Sequence, residues 1–180
     1  GASFLLAIPA AIIVAAIFGF LIGFPSLRIR DDLFVITTFG FQVIIFSVMN
    51  NWMELTQGPL GLPGIPQPVL LGYKLSSHTD FLLFSLFFAI LVYLVSRRLV
   101  NAPFGNVLRA IREDELFAQS LGKNVNSYKV LIFSVSAGLV AIGGALYAYY
   151  ITFIDPTSFT VPESIFMLSI VIVGGAGRLS

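Results

Sequence analysis

"SFLLAIPAAIIVAAIFGFLIGF", Ser3 to Phe24, runs for about 22 residues without a charged side chain. As an α-helix it spans about 33 Å, enough to cross a hydrocarbon core of about 30 Å. It has neither the basic leader nor the small-residue cleavage site of a signal peptide, so it reads as a membrane span. The rest of the chain matches it in composition. Of 180 residues, 57% are hydrophobic, 11% are charged and 18 are Phe. Mean hydropathy is +0.95. Soluble domains carry about 25% charged residues, and one soluble core of this size cannot hide so much apolar surface. The fold class expected is an all-α integral membrane protein, a polytopic helical bundle. A net charge of +1 makes no case for a nucleic-acid partner. With no Cys, disulfides, thiolate metal sites and cysteine catalysis are excluded.

Four more apolar segments follow: Leu33 to Asn51, Phe81 to Val100, Val130 to Ile151, and Ser164 to Val173. The second contains Thr37, Thr38, Gly40, Gln42 and Ser47, and fits either a broken or re-entrant helix or a full span. The third carries Arg97 and Arg98 near its end, where long stems reach the interface. Thr79 or Asp80 is placed to cap its start. Gly1 in place of Met, and a glycine-rich finish "VIVGGAGRLS", make both ends read as cuts.

Basic residues orient these segments. Arg97, Arg98, Arg109, Arg112, Lys123 and Lys129 all lie between the third and fourth segments, which places that stretch in the cytoplasm. Alternation then puts 25–32 inside as well, in keeping with Arg28 and Arg30. It puts 52–80 outside, where Lys74 is the only Lys or Arg, and 152–163 outside, where there is none. Trp52 falls at an interface, as aromatic belts do. The outer stretch "LTQGPLGLPGIPQP" is dense in Gly and Pro, and fits a structured connector or a docking element.

The stretch 101–129 is unlike its surroundings. Asn101 with Pro103 reads as a helix start. Phe104, Val107, Leu108, Ile111, Ala118 and Leu121 recur at helical spacing as one apolar stripe. Arg109 with Glu113, and Arg112 with Glu115, are spaced for local ion pairs. The stripe weakens at Asp114 and Glu115, where a break is expected with Asp114 capping the second half. Gly122 is placed just past the helix end. Asn124, Asn126 or Ser127 would cap the next helix. Such a helix can lie on the membrane surface or dock on a protein. Its mixed charge, with Glu113, Asp114 and Glu115 among the arginines, suits a protein surface better than anionic lipid.

In the second segment Thr37, Thr38, Gln42, Asn50 and Asn51 put hydrogen-bonding groups at membrane depth or its outer edge. They suit a transport path or interhelical bonding. In the fourth, Ser134 with Gly138, and Ala137, Ala141 and Ala145, form small-residue stripes, and Gly143 and Gly144 add further close approach. His78 reads as a lone loop residue and Asp155-Pro156 as an outer turn. No metal-ligand cluster or nucleophilic triad appears, and no glycine-rich run ends in Lys-Ser or Lys-Thr. ATP hydrolysis, if involved, belongs to another subunit.

"PFGNVLRAIREDELFAQSLGKNVNSYKVLIFSVSAGLVAIGGALYAYY" closely resembles the cytoplasmic loop and following helix of branched-chain amino acid ABC transporter permeases of the M-type branch. "NNWMELTQGPLGLPGIP" is similar to that branch's outer-loop signature, and "ESIFMLSIVIVGGAGRLS" to a later helix and glycine-rich turn. The likeness covers most of the chain in order and spacing, and implies that the native start and last helices lie outside it. It implies a non-enzymatic permease in a bacterial cytoplasmic membrane. The partners it implies are a second homologous permease, two cytoplasmic ATPase subunits carrying the ATP, a periplasmic substrate-binding protein and the lipid bilayer. It makes 101–129 a coupling helix, with Arg109, Arg112, Glu113, Asp114, Glu115, Phe117, Ala118 and Gly122 toward an ATPase subunit. The family's alanine pair and glycine map onto Phe117, Ala118 and Gly122. Phe117 departs from the usual alanine, needing a wider partner pocket or a turn toward the membrane. Related permeases carry urea, amides and sugars. An ion-coupled secondary transporter would need ionisable groups within its spans, and no Asp, Glu or His lies mid-span. A lipid-binding scaffold would leave transport indifferent to charge reversal at Arg112 and Glu115.

Overall fold

The computed structural model describes residues 4–27, 31–66, 69–70, 73–74 and 78–174. Eight helices carry the architecture. They are α1 (Phe4–Ser26), α2 (Asp31–Asn51), α3 (Met53–Thr56), α4 (His78–Asn101), α5 (Pro103–Glu113), α6 (Glu115–Ser120), α7 (Val125–Ile151) and α8 (Val161–Gly174). The two-residue strands β1 (Leu62–Pro63), β2 (Val69–Leu70), β3 (Tyr73–Lys74) and β4 (Phe153–Ile154) sit in the connectors.

Four helices, α1, α2, α4 and α7, are long and apolar enough to cross a membrane. The chain is therefore a multi-pass membrane protein. The second segment is one continuous helix of 21 residues, neither broken nor interrupted at Gly40. Its polar residues are satisfied without unwinding the backbone, as described below. The fifth segment is shorter than a span over the described residues, 14 residues in α8, or about 21 Å. Arg28, Arg30 and the final glycine-rich turn lie outside the described residues.

Antiparallel packing of α1 on α7 forms the main helix–helix contact. Small residues set its closeness. A Cβ on Gly19 would lie 2.8 Å from the Ala137 Cβ, and one on Gly138 would lie 3.2 Å from the Ile12 side chain. Each helix thus lends a glycine to the other's surface, the arrangement that drives association where no hydrophobic effect acts between helices. The Ser134 hydroxyl adds an interhelical hydrogen bond to the Ala16 carbonyl at 2.6 Å. Toward one end Phe4, Ile8 and Ile142 are buried, with Phe84, Phe88 and Tyr149 packed around them. The expectation for Ser134 and Gly138 holds. For Gly143 and Gly144 it does not: a Cβ at either would meet nothing within 4 Å.

The connectors sort to opposite ends. Antiparallel β1–β4 pairing, Leu62 with Ile154 and Pro63 with Phe153, joins the 52–80 stretch to the 152–163 stretch. The Ile65 amide also donates to the Thr152 carbonyl at 3.1 Å. Since α7 separates that junction from 101–129, the two connectors expected outside share one end and the charged stretch occupies the other.

Three local expectations are corrected. His78 is the first residue of α4 rather than a loop residue, and its ring meets Tyr150 edge-on at 6.3 Å. Thr79 and Asp80 lie inside the first turn of α4 and so do not cap it. Asn101 closes α4, and the next helix is preceded by Ala102 in extended conformation, with Pro103 at its first position. Proline needs no N–H there and disfavours helix in the residue before it.

Candidate functional site

The charged stretch folds into an elbow of two short helices between α4 and α7. Its first joint is tight. Ala102 accepts from the Gly105 amide at 2.9 Å, and α5 turns across the end of α4. A Cβ on Gly105 would stand 2.1 Å from the Val100 carbonyl oxygen, a distance no side chain tolerates. Arg109 donates to that same carbonyl at 3.4 Å, a favourable place for a cation because the last carbonyls of a helix lack partners.

The second joint is Asp114. Its backbone is extended (φ −152, ψ 107), so it ends α5 and starts α6. Its carboxylate accepts from the Phe117 amide at 2.9 Å, the N-cap bond expected of it. At the third joint, Gly122 takes φ +77. The Gly122 amide donates to the Gln119 carbonyl and the Lys123 amide to the Ala118 carbonyl. That pair of bonds is a Schellman motif, which glycine allows at no steric cost. Asn124 is the residue that caps α7, accepting from the Ser127 amide at 3.3 Å.

These joints fold the elbow over a small core. Ile111, Ala118 and Val125 are buried together, against Val107 and Tyr128, and Phe104 stacks on Tyr128 at 5.3 Å. Across the reversal, Lys129 of α7 donates to Glu115 of α6 at 2.6 Å, the one ion pair among the described residues. The local pairs suggested by spacing, Arg109 with Glu113 and Arg112 with Glu115, do not form. The break at Asp114 ends the helical register that Arg112 and Glu115 needed, and Glu115 turns to Lys129. Arg109, still in register with Glu113 within α5, turns instead to the end of α4.

The predicted contact residues separate by what they touch. Ala118 is 2% exposed and belongs to the elbow's core. Asp114 and Gly122 shape the chain. Arg112, Glu113 and Phe117 are exposed. With Phe117, at 59%, come two large apolar side chains left out of the contact set, Leu116 at 77% and Leu121 at 63%. The expected apolar stripe is divided: Ile111 and Ala118 are buried, and Leu121 is exposed. Gly105 and Lys129 were also missed. The Gly two residues after a Pro at a helix start was the available signal for the first. The second had none, since its partner lies 14 residues away.

The second group of candidates lies on α2. Phe34, Thr37, Thr38, Phe41, Gln42, Phe46 and Asn50 form its half-buried stripe, so the shared face expected for Thr37, Thr38 and Gln42 is present. Thr37 donates to the Leu33 carbonyl at 2.8 Å and Thr38 to the Val35 carbonyl at 2.9 Å, both within the helix. Asn51 donates to the Ser47 carbonyl at 2.7 Å. The Asn50 carbonyl packs against the turn at Gly58. Gln42 alone among the five reaches another element through its side chain. Its amide donates to the Ser164 hydroxyl on α8 at 2.8 Å and approaches the Phe159 carbonyl at 3.5 Å. Beside it opens an apolar cleft of about 240 Å³, walled by Val43, Phe46, Phe159 and Pro162.

Comparison with known proteins bears on both groups. Residues 1–180 match the family model described as the branched-chain amino acid transport system permease component. The chain is 36% identical, over 98% of its length, to the high-affinity branched-chain amino acid transport system permease protein LivM of Salmonella typhimurium, and equally to that of Escherichia coli. It is 32% identical over 93% of its length to a probable LivM of Methanocaldococcus jannaschii. It is also 25% identical over 97% of its length to the ribose import permease protein RbsC of Haemophilus influenzae. The chain spans about half the length of these curated relatives. No solved structure matches it significantly.

Proposed function

Because the chain belongs to the branched-chain amino acid transport permease family, we propose that it forms part of the translocation path for branched-chain amino acids in an ATP-driven importer. Residues 101–129 are its docking element for a cytoplasmic ATPase subunit. It works in a bacterial cytoplasmic membrane beside a second homologous permease, with two ATPase subunits that hold the ATP and a periplasmic binding protein that delivers substrate. The observation that carries the docking half is the elbow's exposed apolar ridge, Leu116, Phe117 and Leu121, flanked by Arg112 and Glu113. Three joints, a buried core and an ion pair hold that ridge rigidly, and a rigid ridge can pass on a movement that a flexible loop would absorb. An apolar centre with a mixed-charge rim is the chemistry of a protein contact.

The substrate half rests on the LivM relatives. The ribose permease, similar over nearly the whole chain, keeps a second reading in view, a permease for a sugar or another small solute. In the path, Gln42 is the residue whose amide can hold a solute's polar group while the neighbouring apolar cleft takes its aliphatic part.

The test uses the complete permease reconstituted with its partners. A single cysteine at Phe117 is expected to cross-link to an ATPase subunit in an ATP-dependent manner. Labelling of that cysteine by a lipid-soluble probe without any cross-link would overturn docking. Uptake of leucine, isoleucine or valine in preference to ribose is expected, and the reverse preference would favour the second reading.

A further inference from the structure

The contact between Lys129 and Glu115 is short, spans 14 residues and joins α6 to α7 beside the apolar cluster of Ile111, Ala118 and Val125. Its place in the chain is specific. Glu115 is the first residue of α6, one position past the Asp114 joint. Lys129 lies a little over one turn into α7, next to Tyr128 and Val130. Beyond it α7 becomes a membrane helix gripped by α1 through Ser134, Ala137 and Gly138. The side chains are 26% and 40% exposed. Half-exposed ion pairs add little to stability, so what this pair supplies is geometry.

We propose that the Glu115–Lys129 pair is a strut that makes α6 a rigid extension of α7, so that movement at the docking ridge turns the α1–α7 unit rather than bending the reversal at Gly122. This rests on the docking reading and adds the element that carries the motion onward. Without the strut, the reversal is held by the Gly122 and Lys123 amide bonds and by the core of Ile111, Ala118 and Val125 against Tyr128. Those bonds hold the last turn of α6, whereas the strut ties its first residue to α7. Glu115 is a positioning residue, engaged within its own subunit.

The test compares Glu115→Gln, Lys129→Met, the conservative Lys129→Arg and the exchange Glu115→Lys with Lys129→Glu. Each is made in the complete reconstituted transporter carrying the Phe117 cysteine. Solute taken up per ATP hydrolysed is measured beside cross-link yield. In the two neutralised variants cross-linking persists while uptake per ATP falls at least about fivefold, the scale of a modest coupling free energy. Lys129→Arg and the charge exchange recover most of the loss. A merely structural role would lower permease abundance and cross-linking together, leaving the ratio unmoved. An unchanged ratio in the neutralised variants overturns the strut, as does a loss that neither Lys129→Arg nor the exchange repairs. Absence of the cross-link in the parent overturns the docking reading instead.

Discussion

Two sets of polar residues sit in this apolar chain, one in the elbow between α4 and α7 and one along α2. In the elbow, Arg109, Glu115 and Lys129 bond between helices, to partners nine and 14 residues away, so each bond fixes a relation between parts of the chain. Along α2, Thr37, Thr38 and Asn51 return to carbonyls three or four residues back in their own helix. A hydroxyl or amide satisfied in that way is neutral to its neighbours. Position on a helix face therefore does not separate a working polar residue from a self-satisfied one, whereas the sequence distance of its partner does. By that measure Gln42 belongs with the elbow residues, since it bonds to Ser164 on another helix.

The largest effect is expected at Gly105. Its Cβ position overlaps the Val100 carbonyl, and overpacking of this kind costs about 1–3 kcal/mol. Gly105→Ala should displace α5 and lower ATP-driven uptake at least about fivefold, the population change such an energy implies. Permease abundance in the membrane, measured alongside, should fall less than uptake. Normal uptake would show that the elbow tolerates another path across the end of α4, and would weaken its contrast with α2.

A smaller effect is expected within α2 itself. Gln42→Ala removes a bond between helices, whereas Thr37→Val and Thr38→Val remove bonds within one. Uptake should fall by about threefold to tenfold in the first, in line with one net hydrogen bond of about 1 kcal/mol, and stay near the parent value in the others. Equal losses at Thr37 and Gln42 would break the rule that partner distance marks the working residue.

The smallest effect concerns Asp155, at the end opposite the elbow. Hydrogen bonds from the Ser158 and Thr157 side chains, with the Ser158 amide, hold its carboxyl below the ordinary carboxylate pKa against a weak opposing desolvation. A lowered folded pKa means that the stabilisation is present above the unfolded value and fades as pH drops through the folded one. Protection of the amides of residues 157–159 against exchange should persist on acidification to about pH 4, near the unfolded carboxylate value, and fall below it. In Asp155→Asn that acid limb should vanish. Its persistence would assign the transition to another group.

Much of the elbow was readable beforehand because its joints depend on local chemistry. Asp114 as a cap, Gly122 past a helix end and a capping residue near Asn124 all follow from groups within three residues of one another. Arg112 and Glu115 were paired by helical spacing across a helix that breaks at Asp114, and Arg109, though in register with Glu113, is engaged by the Val100 carbonyl. Leu121 shares its spacing with Ala118 but stands at the C-cap of α6, where the chain leaves the helix, and Ala118 alone of the two turns inward. Re-entry of the second segment was allowed because its Thr and Gln content looked costly in lipid. The threonines satisfy themselves along an intact helix, and Gln42 finds its partner on α8.

Composition and the charge pattern determined by themselves that this chain crosses a membrane several times and keeps a charged helix pair at one end. Burial of backbone groups in hydrocarbon leaves no other economical arrangement for such residues. Tertiary structure decided which helices touch. All of α1, α2, α4 and α7 are apolar enough to span, and it is the meeting of Gly19 with Ala137 and Gly138 with Ile12, with the Ser134–Ala16 bond, that makes α7 the partner of α1. It also decided that Glu115 is engaged by Lys129, a contact set by the direction in which α7 leaves the Gly122 turn rather than by any local preference of either residue.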